Sequence, residues 1–364
     1  MENFSCSCPS CGAPVTWDAD KKIMHCQHCG NEFIPENAET HYGTKSTGPA
    51  EHGNTADPER KSDDETEYDE LVIYHCRNCG GELVTSKVTA ASVCVYCGSA
   101  VIPAEQVTGK YTPDFVLPFM HTRENALETF RKHICKPFTP KKFIENVKID
   151  KMQGVYIPFR LFSGSCHVQG QYITQESLNK SSEQYTKTYN IQCLRDYSYP
   201  FCRLPVNSSS RTRDDLMESL EPFDYGKMKC FTPAYLSGFL AERYDTNENT
   251  VAVTAGNRII NSIRKKLIRT CAPNSFTRQT VVEKHFDSKL DFNKSEYVLL
   301  PVWMLHCSYR SEKYIFAMNG QTGKFAGNPP VGKIKVRAFI IILSIIAAFL
   351  AALYIRFSLI IKSS

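Results

Sequence analysis

The chain has 364 residues, 42% of them hydrophobic, which is enough for two or three domains and a sizeable core. That excludes a short disulfide-stapled peptide and a wholly disordered chain. The net charge of +5 hides a split, because residues 36–70 hold eleven Asp/Glu against three Lys/Arg, a net −8 that leaves +13 on the remainder. A basic remainder admits nucleic acid or an anionic membrane surface as a partner, and composition alone does not choose between them.

Met1 to Cys6 shows neither a basic nor an apolar leader region, so the reading is without a signal peptide. Eight of the sixteen cysteines form four Cys-x-x-Cys pairs: Cys8/Cys11, Cys26/Cys29, Cys76/Cys79 and Cys94/Cys97. Each member of the second set follows its counterpart by 68 residues. The repeat extends to Gly12 and Gly30 with Gly80 and Gly98, and to Ile34-Pro35 with Ile102-Pro103. Two residues between cysteines let both sulfurs of a tight turn reach one metal at about 2.3 Å, and four thiolates close a tetrahedron with no vacant position. The expectation is two zinc ribbons, residues 1–35 and 71–103, each holding one structural Zn2+ in a reducing compartment. Redox dithiols are the rival reading, weakened by the lack of a βαβ pattern. Cys6, His25 and His28 read as bystanders, since ribbon two works without equivalents to Cys6 and His28. Neither ribbon carries the clustered Lys/Arg that phosphate contact needs, which argues against nucleic acid and for protein contact.

Residues 36–70 end in Asp-Asp-Glu-Thr-Glu-Tyr-Asp-Glu and read as an acidic, flexible linker that lets the first ribbon search beyond the body. From 104 to 332 the chain reads as α+β, one unit or two with a break near 225. Helices are expected at 123–134 behind Thr122, at 140–147 behind Thr139, and at 248–270. In the last, Ala252, Ala255, Ile259, Ile263 and Leu267 form one stripe behind Asn247. Strands are expected at 154–162, 166–173, 184–194, 279–286, 296–309 and 313–318, with a turn at Asn319-Gly320. The basic residues of the long helix, Arg258, Arg264, Lys265, Lys266 and Arg269, read as a solvated face more than as a lipid or nucleic-acid surface. Gly320 to Phe325 lacks the spacing and hydroxyl of a phosphate loop, and no catalytic motif occurs. The cysteines outside the pairs read as buried small hydrophobes.

Residues 333–364 read as a basic flank and an anchor, about 338–361. Ala338 to Ile355 carries no charge, with Ala338, Ile341, Ile345, Leu350, Leu353 and Ile355 facing lipid. At 1.5 Å per residue this run reaches about 27 Å against a bilayer core of roughly 30 Å. The expected fold is therefore two small β zinc ribbons, an α+β central domain and one C-terminal transmembrane helix. The expected placement is single-pass and tail-anchored in the cell membrane, with the bulk of the chain in the cytoplasm.

Further stretches are Val155-Tyr156-Ile157-Pro158-Phe159, Tyr235-Leu236-Ser237-Gly238-Phe239, Leu300-Pro301-Val302-Trp303 and Phe316-Ala317-Met318-Asn319-Gly320-Gln321-Thr322-Gly323-Lys324. With the paired cysteines, they make the chain resemble bacterial membrane-anchored double zinc-ribbon proteins, often labelled helicase-like. The resemblance implies membrane partners of an SPFH (flotillin-like) protein and a phage-shock-protein-A-type coat in envelope stress, with a hetero-oligomer with a related zinc-ribbon membrane protein as a further expectation. It implies no catalytic residue; only the eight zinc ligands carry over. The resulting expectation is a non-enzymatic, membrane-anchored adaptor that recruits such a scaffold through protein–protein contact. The alternative is a membrane-tethered nucleic-acid-binding zinc-ribbon protein.

Overall fold

The computed structural model describes residues 3–4, 8, 10–13, 15–35, 71–75, 82–86, 88–94, 100–103, 107, 111–179, 186–271 and 278–363, with side chains described for all of these except 3–4, 71–73, 75, 82–84, 86, 100, 103, 176–179, 186–189, 278–279, 334 and 352–363. Its strands are β1 (Asn3–Phe4), β2 (Val15–Asp18), β3 (Ile23–Cys26), β4 (Glu32–Phe33), β5 (Leu71–His75), β6 (Glu82–Ser86), β7 (Thr89–Val93), β8 (Ala100–Pro103), β9 (Phe115–Val116), β10 (Lys148–Asn179), β11 (Thr186–Asn207), β12 (Lys229–Cys230), β13 (Leu240–Glu242), β14 (Arg278–Tyr309), β15 (Glu312–Asn319) and β16 (Phe325–Ala326). The helices are α1 (Arg123–Ile134), α2 (Lys141–Asn146), α3 (Asp214–Ser219), α4 (Glu248–Cys271) and α5 (Lys333–Ser363).

The protein is mostly β, which corrects the expected α+β body. The runs at 154–162 and 166–173 are one strand, β10, and those at 279–286 and 296–309 are one strand, β14, each of 32 residues. They pair antiparallel from Lys148↔Ser308 to Ser177↔Arg278, and β11 pairs with the other edge of β10. A bulge at Ser163/Gly164 absorbs the apparent break, and a second bulge lies at Gln171/Tyr172. At Gly164 a Cβ would lie 2.0 Å from the Asp291 carbonyl oxygen, so only glycine lets the strands cross there.

The bulge separates two environments along β10. Before it both faces are covered. Met152 and Tyr156 join a cluster with Phe119, Trp303 and Phe316, while Val155, Ile157, Phe159 and Leu161 join another with Leu117, Met217 and Leu300. After it one face is solvated: Cys166, Val168 and Tyr172 are buried while His167, Gln169 and Gln171 are exposed. The buried face receives α4 through Ile259, Ile263, Leu267 and Cys271. That is the stripe expected from the sequence, except that Val251 and Gly256 are buried in it and Ala252 is only half-buried. The Asn247 side chain accepts the Asn249 N–H at 3.0 Å at the start of α4. Thr122 caps α1 as expected, accepting the Asn125 N–H at 3.4 Å. At α2 the capping position is Pro140, and Thr139 is buried instead.

The transmembrane segment is also corrected, and with it the membrane localisation. Among the described residues no helix is long and apolar enough to cross a membrane. Ala338, Ile341, Ile345 and Leu350 lie exposed on α5, while Leu353 and Ile355 fall outside the described side chains. Lys335, expected as membrane flank, instead donates to the Thr139 carbonyl at 2.6 Å, and Phe339 packs edge-on against Phe138.

The first ribbon is β2–β3–β4, paired Val15↔Cys26 through Asp18↔Ile23 and then Met24↔Phe33. β5 and β6 form a separate two-stranded sheet, while β1, β8 and β7 lead into the large sheet, whose order is β1-β8-β7-β13-β10-β14-β15-β16. β7–β8 pairs Ser92↔Val101 and Val93↔Ala100. Both pairs lie 68 residues beyond Met24↔Phe33 and His25↔Glu32 of β3–β4, so the sequence repeat is a repeat of strand register.

Candidate metal centre

Each pair of the first ribbon sits on a turn closed by the same two hydrogen bonds. The Gly12 N–H donates to the Cys8 carbonyl at 2.8 Å and the Cys8 N–H to Ala13 at 2.7 Å. The Gly30 N–H donates to the Cys26 carbonyl at 2.9 Å and the Cys26 N–H to Asn31 at 3.0 Å. Gly12 and Gly30 hold φ of +72° and +73°, a conformation that side-chain-bearing residues rarely adopt. The antiparallel β2–β3 pairing then brings the two turns face to face.

The four sulfurs of Cys8, Cys11, Cys26 and Cys29 all lie within 4.8 Å of one another. Cys8 approaches Cys29 to 3.5 Å and Cys11 approaches Cys26 to 3.6 Å. A tetrahedron with metal–sulfur bonds of about 2.3 Å has edges of roughly 3.8 Å, whereas a disulfide would bring sulfurs to about 2 Å. The donor set therefore fits one metal ion and is consistent with zinc. The first cysteine of each pair is buried and the second exposed. Burial works against a Cys8 thiolate, but the Ser10 and Cys11 N–H groups aimed at its sulfur outweigh burial and bring it to about 6. The Cys29 N–H likewise lowers Cys26. In Cys11 the Ala13 N–H favours the thiolate, yet burial and the neighbouring sulfurs raise it to about 12.

His25 and His28 take no part in the four-sulfur group; the His25 ring lies 3.7 Å from Glu32. Cys6 lies outside the described residues. So do Cys76, Cys79 and Cys97, while Cys94 is buried at 1% exposure. The acidic segment 36–70 is likewise outside.

The ribbon is not held apart from the body. Trp17 reaches from β2 to donate its indole N–H to the Phe119 carbonyl at 3.1 Å, and its ring packs 5.3 Å from that of Tyr235. Val15, Trp17, Met24 and Cys26 share one core cluster with Phe119, Tyr235 and Trp303. This replaces the expected free search of ribbon one with a fixed seat. The sequence stretch Tyr235 to Phe239 forms that seat: the Trp17 N–H donates to the Ser237 carbonyl at 3.4 Å, and Gly238, at φ +89°, lies under Thr16.

The Phe316–Lys324 stretch is a clamp. Buried Asn319 donates to the carbonyls of Leu220 at 3.1 Å and Pro222 at 3.3 Å. Gln321 exchanges two hydrogen bonds with the Asp224 main chain at 2.8 and 2.9 Å. Lys324 donates to the Glu221 carbonyl. Of the basic face on α4, Arg258 pairs with Glu221 and Glu218, Arg264 pairs with Glu283, and Lys266 lies over Tyr199. Cys166 and Cys307 are buried while the adjacent His167 and His306 are exposed, so neither neighbour serves the thiol as a base.

A Bacillus subtilis (strain 168) protein named "Uncharacterized protein YdjG" is 35% identical to the chain over 340 residues, covering 92% of this chain and 93% of its own length. No family model matches the chain. No solved structure matches it.

Proposed function

The chain belongs to the family of the uncharacterized Bacillus subtilis protein YdjG, and from that premise we propose that it is a non-enzymatic, zinc-stabilised adaptor that binds a scaffold protein. The observation that carries the reading is the closed tetrad of Cys8, Cys11, Cys26 and Cys29 on a ribbon built into the body's core. Four thiolates leave no coordination position for substrate or water, so such a site fixes structure rather than performing chemistry. A second zinc ion belongs at Cys76, Cys79, Cys94 and Cys97. The 68-residue repeat and the matching register of β3–β4 and β7–β8 support it. The resemblance to zinc-ribbon proteins names the partner class, a scaffold of the SPFH or phage-shock-protein-A type in envelope stress. Against the nucleic-acid alternative stand the basic side chains of α4, of which Arg258 and Arg264 are committed to carboxylates of the body.

The test is mass spectrometry of what copurifies with the full chain, beside a Cys8→Ser/Cys11→Ser variant, with zinc content measured on both. The expected result is a scaffold protein with the wild type, two zinc ions per wild-type chain and one in the variant. Nucleic acid with its attendant proteins in place of a scaffold would overturn the adaptor reading.

A further inference from the structure

Where the first ribbon meets the body, the two enclose a cleft of about 480 Å³. Its walls are mostly apolar, with Trp17, Ile34 and Pro35 from the ribbon and Pro118, Met120 and Tyr235 from the body, and Gln321 adds one polar side chain. Its rim carries Lys22, Lys227 and Lys229. Lys22 stands at the end of the β2–β3 turn with φ +59°, its N–H bonded to the Asp18 carbonyl at 2.7 Å, while its neighbour Lys21 is drawn away to Glu32. Lys229 is set by the pairing of β12 with Val116 of β9. Asp224 lies 3.5 Å from Lys227 in an exposed pair, and among the described residues neither Lys22 nor Lys229 forms an ion pair.

Three ammonium groups around an apolar floor complement a ligand that is negative at its edges and apolar at its centre. A nucleic-acid strand fits less well, because phosphate contact relies on a longer basic track. A small anion alone would leave the Trp17–Tyr235 floor unused. We propose that this cleft is the partner-binding site, taking an extended peptide segment of a partner protein that carries acidic residues on both sides of one large apolar side chain. The inference rests on the adaptor reading and gives it a location. It also makes binding depend on zinc, because Trp17, Lys22, Ile34 and Pro35 hold their places only while the tetrad closes the ribbon.

The experiment is fluorescence anisotropy on the full, zinc-loaded chain with a fluorescein-labelled Glu-Asp-Phe-Glu-Asp peptide. Its Lys-Lys-Phe-Lys-Lys counterpart and a labelled oligodeoxythymidine are the controls. The test variant is Lys22→Glu/Lys227→Glu/Lys229→Glu, with the triple alanine variant as a milder form; zinc content and circular dichroism must match wild type. Binding of the acidic peptide should weaken with salt and fall about tenfold or more in the triple variant. Equal binding by the triple variants, or no binding by wild type, overturns the proposal. Tighter binding of the oligonucleotide, or a wild-type self-association in sedimentation that the variant abolishes, reassigns the cleft and overturns it too. Failure here is distinct from failure of the adaptor reading: a triple variant that still copurifies the same scaffold removes the cleft and leaves the adaptor.

Discussion

The indole N–H of Trp17 donates to the main-chain carbonyl of Phe119 across 3.1 Å, inside a core made jointly by the four-cysteine ribbon and the body. That bond makes the ribbon part of the fold. Trp17→Ala is expected to cost about 3–5 kcal/mol through the lost ring and the cavity it leaves. Trp17→Phe keeps most of the apolar contact but strands the Phe119 carbonyl, at about 1–3 kcal/mol. Urea unfolding with separate probes of ribbon and body checks both. If the body's midpoint is unmoved by Trp17→Ala, the ribbon is not integrated as described.

Metal removal follows from the same continuity. With Val15, Met24 and Cys26 in one cluster with Phe119 and Tyr235, chelation is expected to lower the melting temperature of the whole chain. Calorimetry with and without chelator, on wild type and on Cys26→Ser, reads this. The variant should resemble chelated protein without chelator. A small separate ribbon transition with an unchanged main peak would contradict it.

The tetrad was legible in the sequence because its signal is local: paired cysteines, a following glycine and a 68-residue repeat specify the turns without tertiary help. The helices α1 and α4 were legible from cap and stripe. The seat of the ribbon was not, because Trp17 meets Phe119 and Tyr235 from far along the chain and nothing local marks the contact. The long strands were missed where Ser163-Gly164 looked like a break, since a sequence shows the glycine but not the opposing Asp291 carbonyl that requires it. The charge of α4 was read as a solvated face, whereas Arg258 is tied down by Glu221, and that partner too is visible only in three dimensions.

Arg258 donates to both carboxylate oxygens of Glu221, at 2.9 and 3.1 Å, and reaches the Pro205 carbonyl. Burial pushes the Glu221 carboxyl above 4.5, with Arg258 opposing. Arg258→Ala is expected to destabilise by about 2–3 kcal/mol at neutral pH. Without the guanidinium the folded-state carboxyl rises further above its unfolded value. The variant's deficit is therefore smallest below 4.5, where Glu221 is protonated in both states, and grows as pH rises through the raised value. Denaturation midpoints at pH 4 and pH 7 check the sign. A deficit larger at pH 4 would contradict the pairing.

Cys307 makes the complementary case at alkaline pH. It lies on β14 at 1% exposure, and burial first, then the negative charge of Asp150, push its thiol from 9.0 up to about 11. A group whose folded value lies above its unfolded one contributes stability that is complete below 9 and is lost as pH rises through about 11. Cys307→Val removes the titrating sulfur while keeping an apolar side chain of similar size. The variant should track wild type up to pH 9 and then lose less stability between pH 9 and 11. Asp150→Asn should shift the wild-type loss in the same direction more weakly, because it removes only the second cause. Urea midpoints at pH 8, 9, 10 and 11 separate the three chains. If Cys307→Val falls as steeply as wild type across that window, the buried thiol is not what titrates there and the loss belongs to other groups of the core.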